Sequence, residues 1–367
     1  VTARKPKDAE TFEVAHALVV TSGDPAGIGP EVTHKAVRRL QRRHAILEKR
    51  PLIVVGDAVL FARHLDKPSA MHTYNIVPCD DFVANPGYLY HHLMPEKGQP
   101  WRPIFLDCGE RNEDACRPGH GDRHSAERSL VYLSAAIELL HSDIADAVCT
   151  GPIHKANAAR AGFPFPGQTE MFGEYFDVRQ PVMMLVGGGL RVSLATIHVA
   201  LQEVPKLLTK RAVRNALDKT LHALLQDFGV RNPRVAVCGL NPHAGEDDTF
   251  GHEDRRVIRP VVNDARRDGW EVEGPLSADT VFALARKGRF DAVVAMYHDQ
   301  GLIPVKTLAF DEGVNLTLGL PIVRTSPDHG TAFDIAGKHK ADEGAMTAAL
   351  ELAHELSTRR ARAGSRM

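Results

Sequence analysis

At 367 residues, the chain is long enough for two domains or for one large lobe divided by a cleft. Its 43% hydrophobic and 25% charged residues are ordinary globular material, and a net charge of −1 gives no global field to draw in nucleic acid or a membrane surface. Five dispersed cysteines without a CxxC pair fit a reducing cytoplasm better than a disulfide framework. With no apolar stretch of bilayer length and no signal peptide before the first strand, the reading is a soluble, cytoplasmic protein.

Residues 1–14 are charged and lack periodicity, which predicts a flexible tail. The apolar run 16–20 predicts a buried strand, followed by the turn Gly23-Asp24-Pro25-Ala26-Gly27-Ile28-Gly29-Pro30-Glu31 and a helix over 30–43. Three glycines permit tight turning and close backbone approach, and Pro30 suits a first helical turn. The spacing is not GxGxxG, and a bare glycine turn is structural more often than not. A second strand is predicted over 51–57, and surface excursions over 66–120, where Pro, Asp and Asn accumulate. A helix over 125–140 takes Ser125 as its N-cap, and a strand over 146–149 runs into Thr150-Gly151-Pro152. Further strands are expected over 181–186, 191–197, 234–239 and 291–296, with helices over 205–228 and 253–267. This alternation defines an α/β chain with a largely parallel sheet, and such sheets gather ligands at the carboxyl ends of their strands. No compositional break marks a boundary, so two lobes would share a sheet or exchange segments.

Three histidines stand just past strand-like runs: His198, His243 and His298. Three imidazoles with an open fourth position suit a catalytic Zn²⁺-like ion; three unrelated histidines bonded at strand ends is the alternative. Lys306 and Arg324, with Asn315 midway, lie among apolar residues, where burial demands partners such as a phosphate or carboxylate. Asp279 stands where a helix begins; it either caps that helix or steadies a metal-bound histidine and relays protons.

Taken together, these segments resemble the 4-hydroxythreonine-4-phosphate dehydrogenase (PdxA) family of vitamin B6 synthesis over about residues 16–352. The resemblance rests on the 23–31 turn, Thr150-Gly151-Pro152-Ile153-His154-Lys155, Asn241-Pro242-His243-Ala244-Gly245-Glu246, Tyr297-His298-Asp299-Gln300-Gly301 and the run 313–321. Both ends are also similar to the wider isocitrate and isopropylmalate dehydrogenase group, whose adenosine-binding loop resembles residues 329–338. The resemblance implies a two-lobed α/β/α fold with its active-site cleft between lobes. A discontinuous cofactor-side lobe would take 15–165 plus 325–367, and a metal, substrate and dimerisation lobe 166–324.

It further implies NAD at Gly330, Thr331, Ala332, Asp334 and Ala336, and a divalent metal (Zn, Mg or Co) on His198, His243 and His298. Substrate contacts would come from Gln168, Thr169, Lys306, Asn315 and Arg324, with Asp279 and Lys306 as catalytic proton carriers and Asp299 near the metal. Family members are homodimers with a shared active site, and His298 would be the ligand from the partner chain. The implied reaction is oxidation of 4-phosphooxy-L-threonine, with decarboxylation of the β-keto acid. One departure bears on substrate: Gly167-Gln168-Thr169-Glu170 stands where the family reads Gly-His-Thr-Glu. Glutamine keeps hydrogen-bonding capacity but cannot become a cation. That leaves open a paralogue acting on D-threonate or D-erythronate 4-phosphate. Two further classes are a metal-dependent hydrolase or aldolase, which has no use for an adenosine loop, and a non-catalytic ligand binder.

Overall fold

Runs such as Ala17–Thr21 (β1) and Leu52–Gly56 (β2) are buried along their whole length, as strands covered by helices on both faces must be. Alternate side chains divide between two cores: Leu18 and Val20 enter one, Ala17 and Val19 the other. The computed structural model describes residues 16–43, 50–84, 89, 92–93, 102–109 and 116–364. The predicted 1–14 tail lies outside the described residues.

Ten more strands complete one sheet: β3 (Asn75–Pro78), β4 (Ile104–Asp107), β5 (Ala145–Thr150), β6 (Val182–Gly187), β7 (Leu190–Leu194), β8 (Arg234–Cys238), β9 (Glu271–Leu276), β10 (Ala292–Ala295), β11 (Val314–Leu318) and β12 (Val323–Pro327). Their order is β3-β4-β2-β1-β5-β12-β11-β6-β7-β10-β8-β9. The flanks are parallel, as expected; the three pairings between β12 and β7 are antiparallel and reverse the strand direction at the centre. Carboxyl ends on the β1 side and the β10 side therefore point opposite ways.

Several elements differ from expectation. The helix Arg123–His141 starts earlier than predicted because Asp122, not Ser125, is its N-cap. Ser125 is the reciprocal partner, its N–H donating to Asp122 while its hydroxyl accepts from the Asp122 N–H. The predicted helix 205–228 is two, Val204–Leu207 and Lys210–Gln226, because the Thr209 hydroxyl caps a fresh start. The predicted helix 253–267 opens with a wide π-turn, Asp254–Ile258, before Arg259–Arg267. Strands β3 and β4 occupy the stretch expected to be surface excursion, each only four residues long. Beyond β10, where the sequence predicts only a strand end, the chain forms a helix, His298–Leu308.

Candidate active site

The antiparallel centre of the sheet floors a cavity of about 360 Å³. In the β11–β12 pairing Asn315 stands opposite Ser326, and Thr317 opposite Arg324; Thr317 also stands opposite Met183 on β6. Opposed residues share a face, so Asn315, Arg324, Ser326 and Met183 all line the cavity. The nine-residue gap between Asn315 and Arg324 is thus the span of a hairpin.

Arg324 is 3% exposed. Its guanidinium donates to the Thr169 hydroxyl at 3.2 Å, Thr317 at 3.0 Å, Thr150 at 2.7 Å and the Gln168 side-chain oxygen at 3.2 Å. All four acceptors are neutral, and its buried Nε has no partner. Burial pulls its pKa down to about 10, which still leaves it charged at neutral pH. The buried Oδ1 of Asn315 is unpartnered too. The Glu170 carboxylate acts on this cation through space but makes no hydrogen bond to it, so the cradle still suits an anion bound directly to the guanidinium.

Thr169 and Gln168 open the helix Gln168–Tyr175, whose N-cap Gly167 offers no side-chain cap. The Gln168 amide is engaged at both ends, donating to the Gly151 carbonyl at 3.1 Å and accepting from Arg324. It therefore steadies the arginine as well as lining the cavity. Lys306 follows His298 by two helical turns, so both reach the cavity from one helix face. Its ammonium pairs with Asp328, also on the cavity wall, at 3.0 Å.

The three histidine turns follow β7, β10 and β8, which are adjacent and parallel in the order β7-β10-β8. His298 accordingly stands between the other two turns. Its ring lies 5.4 Å from that of His198 in the same chain, and both line the cavity. Burial, then the charges of Lys155 and His298, lower the pKa of His198 and favour the neutral form that binds cations. The Nδ1 of His298 is hydrogen-bonded to the Asp299 carboxylate at 2.7 Å, leaving Nε2 as the free donor atom. His243 does not line the cavity, and among the described residues no three His, Cys, Asp or Glu side chains form a metal-binding group. Of the three expected donors, His198 and His298 are therefore the two that lie together in one chain. The pair fits a cation that takes its remaining donor from elsewhere.

His243 sits in an unusual backbone. Residues 243–248 all have positive φ, and only Gly245 among them is glycine. Left-handed helical geometry costs roughly 1–2 kcal/mol per non-glycine residue, so this turn is held from outside.

The loop implied for NAD reaches the cavity through His329 and Gly330; Thr331, Ala332, Asp334 and Ala336 lie behind them, outside its lining. It packs on the glycine turn: the Ile28 N–H donates to the Thr331 carbonyl, and a Cβ on Gly27 would lie 2.8 Å from that same oxygen. The turn in turn interlocks with Pro152, whose carbonyl accepts from the Asp24 N–H. The Nε2 of His329 is buried without a partner, a polar atom that a bound dinucleotide could satisfy. Asp279 is exposed, accepts from the Ser277 hydroxyl at 2.6 Å and is not part of the cavity.

Sequence reasoning missed the residues that tie these turns together. The Thr196 hydroxyl donates to the Met296 carbonyl, while Gln300 accepts from the Met296 N–H and donates to the Gly239 carbonyl. Met296 and the Gln300 amide together thus join the turns of His198, His298 and His243. Only the Gln300 in the quoted Tyr297–Gly301 motif hinted at it.

A direction-switching α/β sheet with an anion cradle and a histidine pair defines a class, an α/β enzyme with a small-molecule site. Within that class the chain belongs to the PdxA family: residues 48–353 match the family described as pyridoxal phosphate biosynthetic protein PdxA. A 4-hydroxythreonine-4-phosphate dehydrogenase of Paracoccus denitrificans is 39% identical over 351 residues, covering 94% of this chain and 99% of that one. A Bradyrhizobium diazoefficiens protein whose name proposes D-threonate 4-phosphate dehydrogenase activity is also 39% identical over 351 residues, covering 93% and 96%. Among solved structures, a 4-hydroxythreonine-4-phosphate dehydrogenase from Klebsiella pneumoniae has a TM-score of 0.77 at 34% identity, covering 94% of this chain and 98% of that one.

Proposed function

We propose that this chain is a dehydrogenase that oxidises 4-phosphooxy-L-threonine (4-hydroxythreonine 4-phosphate), using NAD and a divalent cation, with loss of CO₂ from the β-keto acid, in pyridoxal phosphate synthesis. The observation that carries the reading is Arg324, a buried guanidinium whose hydrogen-bond partners are all neutral, in a cavity of small-molecule size. Relatives named for that substrate across nearly the full chain support it.

Arg324, Thr169 and Asn315 would grip the phosphate, and Lys306 would add a mobile positive charge. Fixing that end holds the reacting carbon in place against the cofactor. His198 and His298 would hold the cation, with Asp299 orienting His298, while His329 and the 330–336 loop would hold NAD. When bound, the cation supplies Lewis acidity toward the substrate alcohol and NAD the hydride acceptor. Lys306, which lines the cavity where Asp279 does not, would be the residue relaying the substrate proton.

A homodimer completes the arrangement. The His298–Leu308 helix and the residues after it turn Ile303, 63% exposed, and Phe310, 77% exposed, to solvent beside the cavity. Such a patch is the mark of an interface. Because His198 and His298 meet in one chain, His243 rather than His298, the ligand the resemblance implied, would be the one to cross to a partner. A cytoplasmic location accords with this chemistry, and no described helix is long and apolar enough to cross a membrane.

Gln168 favours one second reading. A neutral amide on the arginine, where the family's histidine could be charged, suits a paralogue acting on a sugar-acid phosphate such as D-threonate 4-phosphate. The deciding experiment follows NADH formation with Zn²⁺, Mg²⁺ or Co²⁺ on 4-phosphooxy-L-threonine, D-threonate 4-phosphate and D-erythronate 4-phosphate. Preference for the amino-acid phosphate supports the first reading and preference for a sugar-acid phosphate the second. Silence on all three removes both.

A further inference from the structure

Resting on the reading of His243 as a metal ligand, we propose that Asp254 is a positioning residue whose carboxylate holds the left-handed turn 243–248 in the shape that presents His243. The turn has its own hydrogen bonds, Ala244 N–H to the Asn241 carbonyl, Glu246 N–H to His243 and Thr249 N–H to Glu246. Those bonds would be available to a right-handed turn as well, which L-residues prefer. What selects the left-handed form lies outside it.

Asp254 is 2% exposed and sits between the end of β8 and the turn. One carboxylate oxygen accepts from the Leu240 N–H at 2.8 Å; the other accepts from the Asn241 N–H at 3.2 Å and its side-chain amide at 2.9 Å. Glu253 takes the second hydrogen of that amide at 2.9 Å. Contact is tight on both sides: a Cβ on Gly239 would lie 2.7 Å from the Asp254 carboxylate and 2.7 Å from the Ala244 Cα. Asp254 also begins the π-turn, a wide turn frequent at functional sites. Two rare backbone states meet at one side chain. None of its bonds reaches the imidazole, so Asp254 acts on His243 through the backbone of Leu240 and Asn241.

The test uses the full-length, metal-free protein, with Zn²⁺ affinity read by calorimetry and backbone order by hydrogen exchange. Asp254→Asn should weaken Zn²⁺ binding by about 10–100-fold, the usual effect of losing a partner behind a ligand. Exchange should quicken over 243–248 and stay unchanged in the sheet. Ala244→Gly, which tolerates positive φ without strain, should restore part of the affinity in the Asp254→Asn background. His243→Ala separates the two claims. If it binds Zn²⁺ as the unmodified protein does, the metal reading of His243 fails. If it weakens binding while Asp254→Asn does not, the positioning role fails and the metal reading stands. An Asp254→Asn protein that does not fold even with Ala244→Gly would make Asp254 a folding residue and overturn the proposal.

Discussion

Arg324 shows how one side chain organises a site. Lysine in its place keeps the charge but cannot reach Thr150, Thr169, Thr317 and Gln168 with one fork. A charge-assisted hydrogen bond contributes about 1.5–3 kcal/mol, so Arg324→Lys should raise KM for the phosphorylated substrate by roughly 10- to 150-fold. Steady-state kinetics decide this, and a KM within about twofold of the unmodified enzyme would defeat the anion-cradle reading. His34 makes a different prediction. Burial first, then the nearby Arg38, depress its pKa to about 4, and its Nδ1 faces the Tyr74 hydroxyl at 3.0 Å. The unfolded chain takes up that proton near the ordinary value of 6.5, before the folded one does. His34 therefore contributes stability that is present above pH 6.5 and lost as pH falls toward about 4. Melting temperatures across that window should decline, and His34→Gln should flatten the slope; an unchanged slope would remove His34 as its source.

Among elements, the glycine turn and the 329–338 loop act as a pair. Gly27 lacks a positive φ, so space alone demands glycine there: its Cβ would meet the Thr331 carbonyl at 2.8 Å. Gly27→Ala should push the loop outward at a cost of about 1–3 kcal/mol, weakening NAD binding about tenfold or more. Zn²⁺ binding at the proposed histidine site, whose turns follow β7, β10 and β8, should not change. Titrating both ligands into one variant checks the separation, and a matched loss of both would show general damage instead. The interrupted helix at Thr209 and the π-turn at Asp254 make a related point. Apolar periodicity runs through both places, yet a capping hydroxyl breaks the helix at Thr209, and at Asp254 the helix opens as a π-turn.

At the scale of the whole molecule, the antiparallel pairings joining β12, β11, β6 and β7 bring the two parallel halves together around one cavity. The apolar face of Ile303 and Phe310 beside it carries the dimer prediction. Ile303→Asp with Phe310→Asp should yield a monomer in sedimentation, with turnover reduced about 100-fold or more because one cation ligand is missing. A monomer that remains fully active would end the shared-site reading, and a dimer that persists would put the interface elsewhere.

Most strand positions and the α/β class were legible from the chain, because apolar runs and glycine turns are set by neighbours within a few residues, whereas of the candidate residues His243, Asp279 and Thr331 lie outside the cavity. Motif order was specific enough to name the family. Short strands such as Asn75–Pro78 were not legible, since four residues carry too little periodicity. Strand order was not legible either: that β10 lies between β7 and β8 is what places His298 beside His198. Sheet pairing joins residues far apart in sequence and leaves no local trace. For the same reason only the folded chain discloses Asp254 beneath His243, or the neutral ring of oxygens around Arg324 that calls for an anion.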